Sequence, residues 1–276
     1  MSYDAQVGPD SHVRAAEQNL GGTRAESKGR FRPHHSFIHM SPLDNPIWQS
    51  LNSTHAHFAE IRGGARRFPR EVSVLAGLRE PTRENFDSLA AMILPGESVG
   101  LFLQGPPDPL APWSIVHHGP LLQMLCENRS TSAAPPQKTQ PEFVQLTKAD
   151  VPEMLALTKL TNPGPFGART HEMGDYFGVR VEGTLAAMAG ERLRLQGYTE
   201  VSAVCTHPDH LGHGYASALL GLITDRIFGR GELPILHVLP ENTRAIQVYE
   251  RLGFAKRAML HLAVLRCGEK QTASTS

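Results

Sequence analysis

The chain has 276 residues, enough for one large or two small domains with a sizeable core. Lys plus Arg and Asp plus Glu both total 27, so net charge gives no argument for nucleic acid or an anionic membrane as a partner. Three cysteines, Cys126, Cys205 and Cys267, form an odd set without CxxC spacing, and the N-terminus carries no basic-then-apolar signal. A reduced, cytoplasmic setting is the simpler reading, and no apolar run approaches membrane-spanning length.

Residues 1–30 are polar, with charges of both signs, and read as a disordered leader. Residues 31–127 read as an N-terminal α/β domain without a phosphate-binding loop. Ile47 and Leu51 suggest a short helix, and residues 68–77 mix a turn with a strand-like run. Phe86, Leu89, Ala90 and Ile93 make an amphipathic helix that Thr82 can cap. Val99 to Leu103 is a strand, Pro106 to Pro109 a loop, and Leu121 to Cys126 a short helix or strand.

Residues 128–141 are rich in Ser, Thr, Ala, Pro and Gln and read as a linker, which puts the domain boundary here. A second domain follows over 142–268, with a fraying tail at 269–276. Phe143 to Leu146 is a strand and Lys148 to Leu160 a helix. The Gly- and Pro-rich stretch 161–175 is a long loop, of the kind that often carries function. Tyr176 to Val181 and Leu185 to Leu195 form a hairpin turned at Glu182-Gly183.

Glu200 to Thr206 reads as a strand. Simple alternation puts Val201, Ala203 and Cys205 on one face and Glu200, Ser202, Val204 and Thr206 on the other. Pro208 ends it, and Gly212 and Gly214 lead into a helix with apolar Tyr215, Leu219, Leu222, Ile223 and Ile227. A glycine loop between strand and helix lets backbone N–H groups and the helix N-terminus converge on an anion. An ordinary strand–helix turn would use the same glycines, so the loop alone does not decide. Pro234 to Leu239 is a short buried strand. The last helix is bounded by a capping Asn242 and by Gly253, and Lys256 to Arg266 closes the sheet.

Leu211-Gly212-His213-Gly214-Tyr215-Ala216 resembles the Gln/Arg-x-x-Gly-x-Gly/Ala loop of the GNAT superfamily of acyl-CoA-dependent N-acyltransferases. The block from Asn242 through Ala245 and Tyr249 to Gly253-Phe254 is similar to that family's second signature, in the right order and spacing. The likeness spans residues 141–267, with one departure: Leu211 stands at the Gln/Arg position. It implies a mixed, mostly antiparallel α/β sheet flanked by helices, preceded by a degenerate half that is GNAT-like or otherwise α/β. It further implies transfer of an acetyl group from acetyl-CoA to a primary amine in a ternary complex, without a metal. The acceptor would be a small-molecule, peptide or protein amine, and the protein a monomer or homodimer. A non-catalytic acyl-CoA sensor on the same fold is the alternative.

Carried onto this chain, the resemblance puts the pyrophosphate on Leu211, Gly212, His213, Gly214, Tyr215 and Ala216. The pantetheine would lie along Val204, Cys205 and Thr206 and meet Asn242. Tyr249 would be the general acid and Glu200 the base, with Glu191 as runner-up. On their own residues, Asn242 reads as a cap, Tyr249 as a core aromatic and Glu200 as a strand-end carboxylate open to water. His207, His210 and His213 recur every three residues, but Pro208 prevents a helix that would align them and no Cys or carboxylate pattern completes a metal site. Cys205, placed in the core by alternation, reads as an inert thiol rather than a nucleophile.

Overall fold

The computed structural model describes residues 41–109, 111–128 and 141–268. The expected leader and tail, and most of the expected linker, lie outside them. In chain order the elements are α1 (Pro46–Leu51), β1 (Glu60–Arg62), β2 (Ala65–Arg67), β3 (Ala76–Leu78), α2 (Arg83–Ala90), β4 (Ser98–Leu103) and β5 (Trp113–Leu125). Then come β6 (Phe143–Leu146), α3 (Val151–Thr161), β7 (Tyr176–Val181), β8 (Thr184–Leu195) and β9 (Tyr198–Thr206). The chain closes with α4 (Tyr215–Gly229), β10 (Leu233–Val238), α5 (Thr243–Arg251) and β11 (Ala255–Cys267).

The punctuation behaves as its chemistry dictates. Thr82 caps α2 by accepting from the Asn85 N–H, and Asn242 caps α5 by accepting from the Ala245 N–H at 3.2 Å. The β7–β8 turn places Glu182 and Gly183 at φ 50° and 82°, the left-handed pair that a two-residue hairpin requires.

Strands β4 to β11 make one eight-stranded sheet in the order β4-β11-β5-β10-β9-β8-β7-β6, while β1 to β3 form a small separate sheet. All neighbours in the large sheet are antiparallel except β9 and β10. This corrects the expected division into two domains. β5, from the N-terminal half, is inserted between β10 and β11 of the C-terminal half, so residues on both sides of the supposed boundary share one sheet. The sequence shows only the last third of β5, because His117-His118-Gly119-Pro120 interrupts its apolar pattern. Proline is tolerated there because β10 pairs with β5 only from Leu122 onward, leaving that edge open beside Pro120.

One face of the large sheet packs α4 and α5 through Leu219, Leu220, Ile223, Ile227 and Ile246 against Val201, Met124 and Leu236. On the other face α3 covers Tyr176, Met188, Ala203 and Cys205. Beside it α1 and the 68–75 segment bury Ile47, Leu51, Phe68 and Leu75 against Phe102, Leu121, Leu193 and Leu260. The N-terminal half therefore supplies two strands of the large sheet, β4 and β5, and a cover for the face opposite α4.

Candidate functional site

The site forms where the two parallel strands part. β9 and β10 pair only at Tyr198↔Leu233, Thr199↔Pro234 and Glu200↔Ile235. From Val201 onward, β9's edge towards β10 has no strand partner among the described residues. Its other edge stays bonded to β8 as far as Thr206↔Ala187. Unpaired N–H and C=O groups along 201–206 thus line one wall of a wedge. Backbone groups in such a position need a partner, which an extended ligand can supply.

A bulge changes which side chains this wall presents. Gly190↔Ser202 is followed by Met188↔Cys205, so three steps on β9 match two on β8, and Ala203 takes φ 53°. Alternation therefore fails: Val201 and Val204 belong with the α4–α5 core, whereas Ala203 and Cys205 belong with the α3 side. The expectation that Val201, Ala203 and Cys205 share a face is corrected, because the extra residue inverts the pleat. Cys205 is buried, and burial pushes its thiol up to about 11, so it is an inert thiol.

Beyond β9, Leu211 to Gly214 are exposed, with Gly212 and Gly214 at φ 83° and 77°. A Cβ at Gly212 would meet only open space, so its backbone conformation, not crowding, calls for glycine there. The first bond of α4 runs from the Ala218 N–H to the Gly214 carbonyl at 3.0 Å. The N–H groups of Tyr215, Ala216 and Ser217 precede it and have no helical carbonyl to use. The His213 ring stacks on Tyr215 at 19°, and its Nδ1 lies 3.1 Å from the His210 carbonyl. Such an assembly can receive an anion, since it lies at the positive end of a fifteen-residue helix. The three histidines come close, with ring centroids 5.8 and 6.4 Å apart, but no metal-holding group of His, Cys, Asp or Glu occurs among the described residues.

Tyr249 is half-buried on α5, packed into the α4 core with its ring 6.2 Å from Phe254. Burial raises its pKa, which keeps the phenol a proton donor. Asn242 is exposed at the N-terminus of the same helix, where its Oδ1 is already committed to the cap.

Glu200 is not the water-exposed carboxylate that the sequence suggested. It is 1% exposed and takes a bidentate pair from Arg192, at 2.8 Å from Nε and 2.7 Å from Nη2. His237 Nδ1 lies 2.7 Å from its Oε1. Burial alone would raise the pKa of this carboxyl. The Arg192 guanidinium, with His237 adding to it, reverses that and holds it well below the usual carboxylate range. A carboxylate so engaged has little affinity for a further proton, which argues against Glu200 as the base. Glu191, the runner-up, faces the opposite way. It is 1% exposed, its Oε1 accepts from Arg230 at 2.7 Å, and its Oε2 is buried without a hydrogen-bond partner among the described residues.

Sequence reasoning missed the rest of this buried network. Gln123 on β5 donates from Nε2 to the Leu43 carbonyl at 3.0 Å and lies 2.9 Å from His237 Nε2, while its Oε1 accepts from Arg257 at 2.7 Å. Arg257 continues to Asp44 at 2.6 Å. The network fixes the tautomer of His237: Nδ1–H donates to Glu200 and Nε2 accepts from Gln123. One signal was readable, namely Arg192 and Arg194 inside a mostly apolar strand next to the strand of Glu200. Gln123 and His237 gave none, because the contact that joins them, like that of Gln123 with Arg257, crosses between the two halves of the chain.

Comparison with known proteins bears on this geometry. The FR47-like protein family matches residues 176–262, from the start of β7 into β11. The chain resembles an assigned GNAT-family acetyltransferase from Novosphingobium aromaticivorans in crystal structure, with TM-score 0.76 and 34% identity over 83% of this chain and 100% of that one. It shares its fold with a GCN5-related N-acetyltransferase from Kribbella flavida, at TM-score 0.53 and 17% identity over 82% of this chain and 93% of that one. None of the curated proteins matches. By its identity to the Novosphingobium protein over that protein's whole length, together with the parted β9–β10 pair and the glycine cradle that follows, this chain belongs to the GNAT family.

Proposed function

We propose that the protein is an N-acetyltransferase that moves an acetyl group from acetyl-CoA to an amine by direct attack in a ternary complex. The observation that carries this reading is the continuity of three features: the unpaired edge of β9, the positive-φ glycines and the amide-rich start of α4. Val204, Cys205 and Thr206 would bond the pantetheine through their backbone, with Asn242 at the far side of the wedge. Residues 211–216 would hold the pyrophosphate. Because that cradle is mainly backbone, Leu211 costs it little.

In the reaction the amine nitrogen bonds to the thioester carbonyl carbon and the carbon–sulfur bond breaks. Tyr249 gives its proton to the departing thiolate and regains one from solvent. The amine's proton leaves through water, since both oxygens of Glu200 are engaged by Arg192; Glu200 then acts as a fixed charge that shapes the wedge. The acceptor is a small-molecule, peptide or protein amine in a reduced, cytoplasmic setting. The sequestered Glu200 and Leu211 favour one competing reading, a non-catalytic acyl-CoA sensor.

Calorimetry of the whole chain with CoA, followed by thiol release from acetyl-CoA across an amine panel, tests the proposal. Heat of binding with amine-dependent thiol release is the expected result. Binding without release by any amine would favour the sensor, and no heat at millimolar CoA would sink both. Once an acceptor is found, Tyr249→Phe should lower kcat and kcat/KM together, by about 10²-fold or less, with acetyl-CoA affinity unchanged.

A further inference from the structure

The outer half of β5 is a strand with one edge unused. β11 pairs with β5 along almost its whole length, from Trp113↔Cys267 to Leu125↔Ala255, whereas β10 pairs with it only from Leu122 to Leu125. Over residues 114–119 the second edge therefore has no strand partner among the described residues. Residues 114–118 are all exposed, on both faces of the strand, with Ile115 at 44% and Val116 at 49%. An open edge is a template for another strand, and proteins guard it with charge, proline, a bulge or a cover. No Lys, Arg, Asp or Glu occurs over residues 114–120. Pro120 stands only at the inner end, and Val116 is the extra residue of a bulge between His117↔Val264 and Ile115↔Leu265.

This edge borders the wedge. β10 runs parallel to β9, parts from it after Ile235 and ends at Val238, so the wall of the wedge opposite β9 is short. β5 is antiparallel to β10 and continues outward past that end, from Leu122 back to Ser114. The free edges of β9 and β5 thus run out in the same direction on either side of the gap, and Leu239, where the chain leaves β10, is 47% exposed. The direction of β5 selects the occupant. β5 runs inward, so a strand that pairs antiparallel with it, the more stable arrangement, runs outward and has its N-terminus at the wedge. Such a strand takes up the line of β10 where β10 leaves it, and its α-amine is the first of its groups to meet the place assigned to the thioester.

We infer that the acceptor is an extended polypeptide with a free α-amine, docked by strand addition along residues 114–119. The inference rests on the acetyltransferase reading above and narrows its acceptor to one chemical class. Main-chain hydrogen bonds supply the affinity, and the exposed Ile115 and Val116 offer apolar contact to the side chains of the added strand. The competing occupant is a second copy of this chain, pairing edge to edge.

The test uses the whole chain and a strand-forming probe, the amide of the hexapeptide Thr-Val-Thr-Val-Thr-Val with a free α-amine. Amide hydrogen exchange in the presence of CoA needs no turnover, and the peptide should slow exchange within residues 114–119. In acetyl transfer, kcat/KM for the hexapeptide should exceed that for threonine amide by at least about tenfold. Along a paired strand, successive N–H groups point alternately towards the partner and away from it. N-methylating every second backbone nitrogen should therefore abolish the advantage in one phase and spare it in the other. Unchanged exchange over residues 114–119 would overturn the inference, as would equal rates for hexapeptide and threonine amide or the same response to both methylation phases. Protection of that edge without peptide, growing with protein concentration, would overturn it in favour of a second copy. Failure of the functional reading shows separately, as absent heat of binding with CoA while the peptide still protects the edge.

Discussion

At the scale of single residues, burial decides what a titratable group can do. Glu200→Gln separates a catalytic from a structural carboxylate. A base removed from an intact site lowers the rate and leaves stability alone. Here the substitution takes away the anion paired with the buried Arg192, and breaking a buried pair typically costs about 3–5 kcal/mol. A large fall in melting temperature is therefore expected. Unchanged stability with lost turnover would restore Glu200 as a base. His55 makes a second residue-scale prediction. It is 2% exposed, accepts at Nδ1 from the Ser50 hydroxyl at 3.0 Å and donates from Nε2 to the Met173 carbonyl at 2.8 Å. Burial, the largest influence, lowers its pKa from 6.5 to about 4. The unfolded chain thus takes up a proton below pH 6.5 that the folded chain refuses until about pH 4. Stability is complete above pH 6.5 and declines as the pH falls, by roughly 2 kcal/mol by pH 5. Urea midpoints of the parent and His55→Gln over pH 7.5 to 5 should show the parent's acid slope flattened in the variant; parallel slopes would remove His55 as its source.

Elements set the geometry that these residues occupy. α4 and the loop before it form a unit in which Gly214, at φ 77°, is also the N-cap of the helix. Gly214→Glu would place a carboxylate in the anion cradle and should weaken CoA at least about tenfold, or about 1.4 kcal/mol. The left-handed φ penalises any side chain, so Gly214→Ala is the companion variant. It measures backbone strain alone, and the excess loss in the glutamate variant measures charge and bulk. Equal CoA binding by parent and Gly214→Glu would place the anion elsewhere. The β9 bulge is the other deciding element. A single extra residue turns Ala203 away from Val201 and brings it and Cys205 beside Tyr176. Nothing in Val-Ser-Ala-Val-Cys distinguishes it from a regular strand, since every residue there is small or apolar.

For the whole molecule, the insertion of β5 has the largest consequence. β5 is bonded to β10 on one edge and to β11 on the other, and its Gln123 joins the network under Glu200. A fragment beginning near Gln140 would lose a central strand and leave β10 and β11 with unsatisfied edges. That fragment is expected to be insoluble or unfolded, and co-expressing residues 41–128 with it should recover a folded, CoA-binding complex. A stable, CoA-binding fragment on its own would show that the halves are separable.

The sequence by itself determined what local chemistry determines. It determined the caps at Thr82 and Asn242, the Glu182-Gly183 hairpin, the glycine loop before α4, and every element from β6 to β11 to within a few residues. These depend on spacing, capping and backbone freedom, which neighbouring residues carry among themselves. The tertiary structure alone decided the register and pairing. It put β5 between two strands more than a hundred residues away in sequence. It inverted the pleat at Ala203, and it turned Glu200 from a strand-end carboxylate into one half of a buried pair. Those outcomes depend on which chemically compatible segments meet across the sheet. Glu200 reads as a strand-end carboxylate open to water until its strand and that of Arg192 lie side by side.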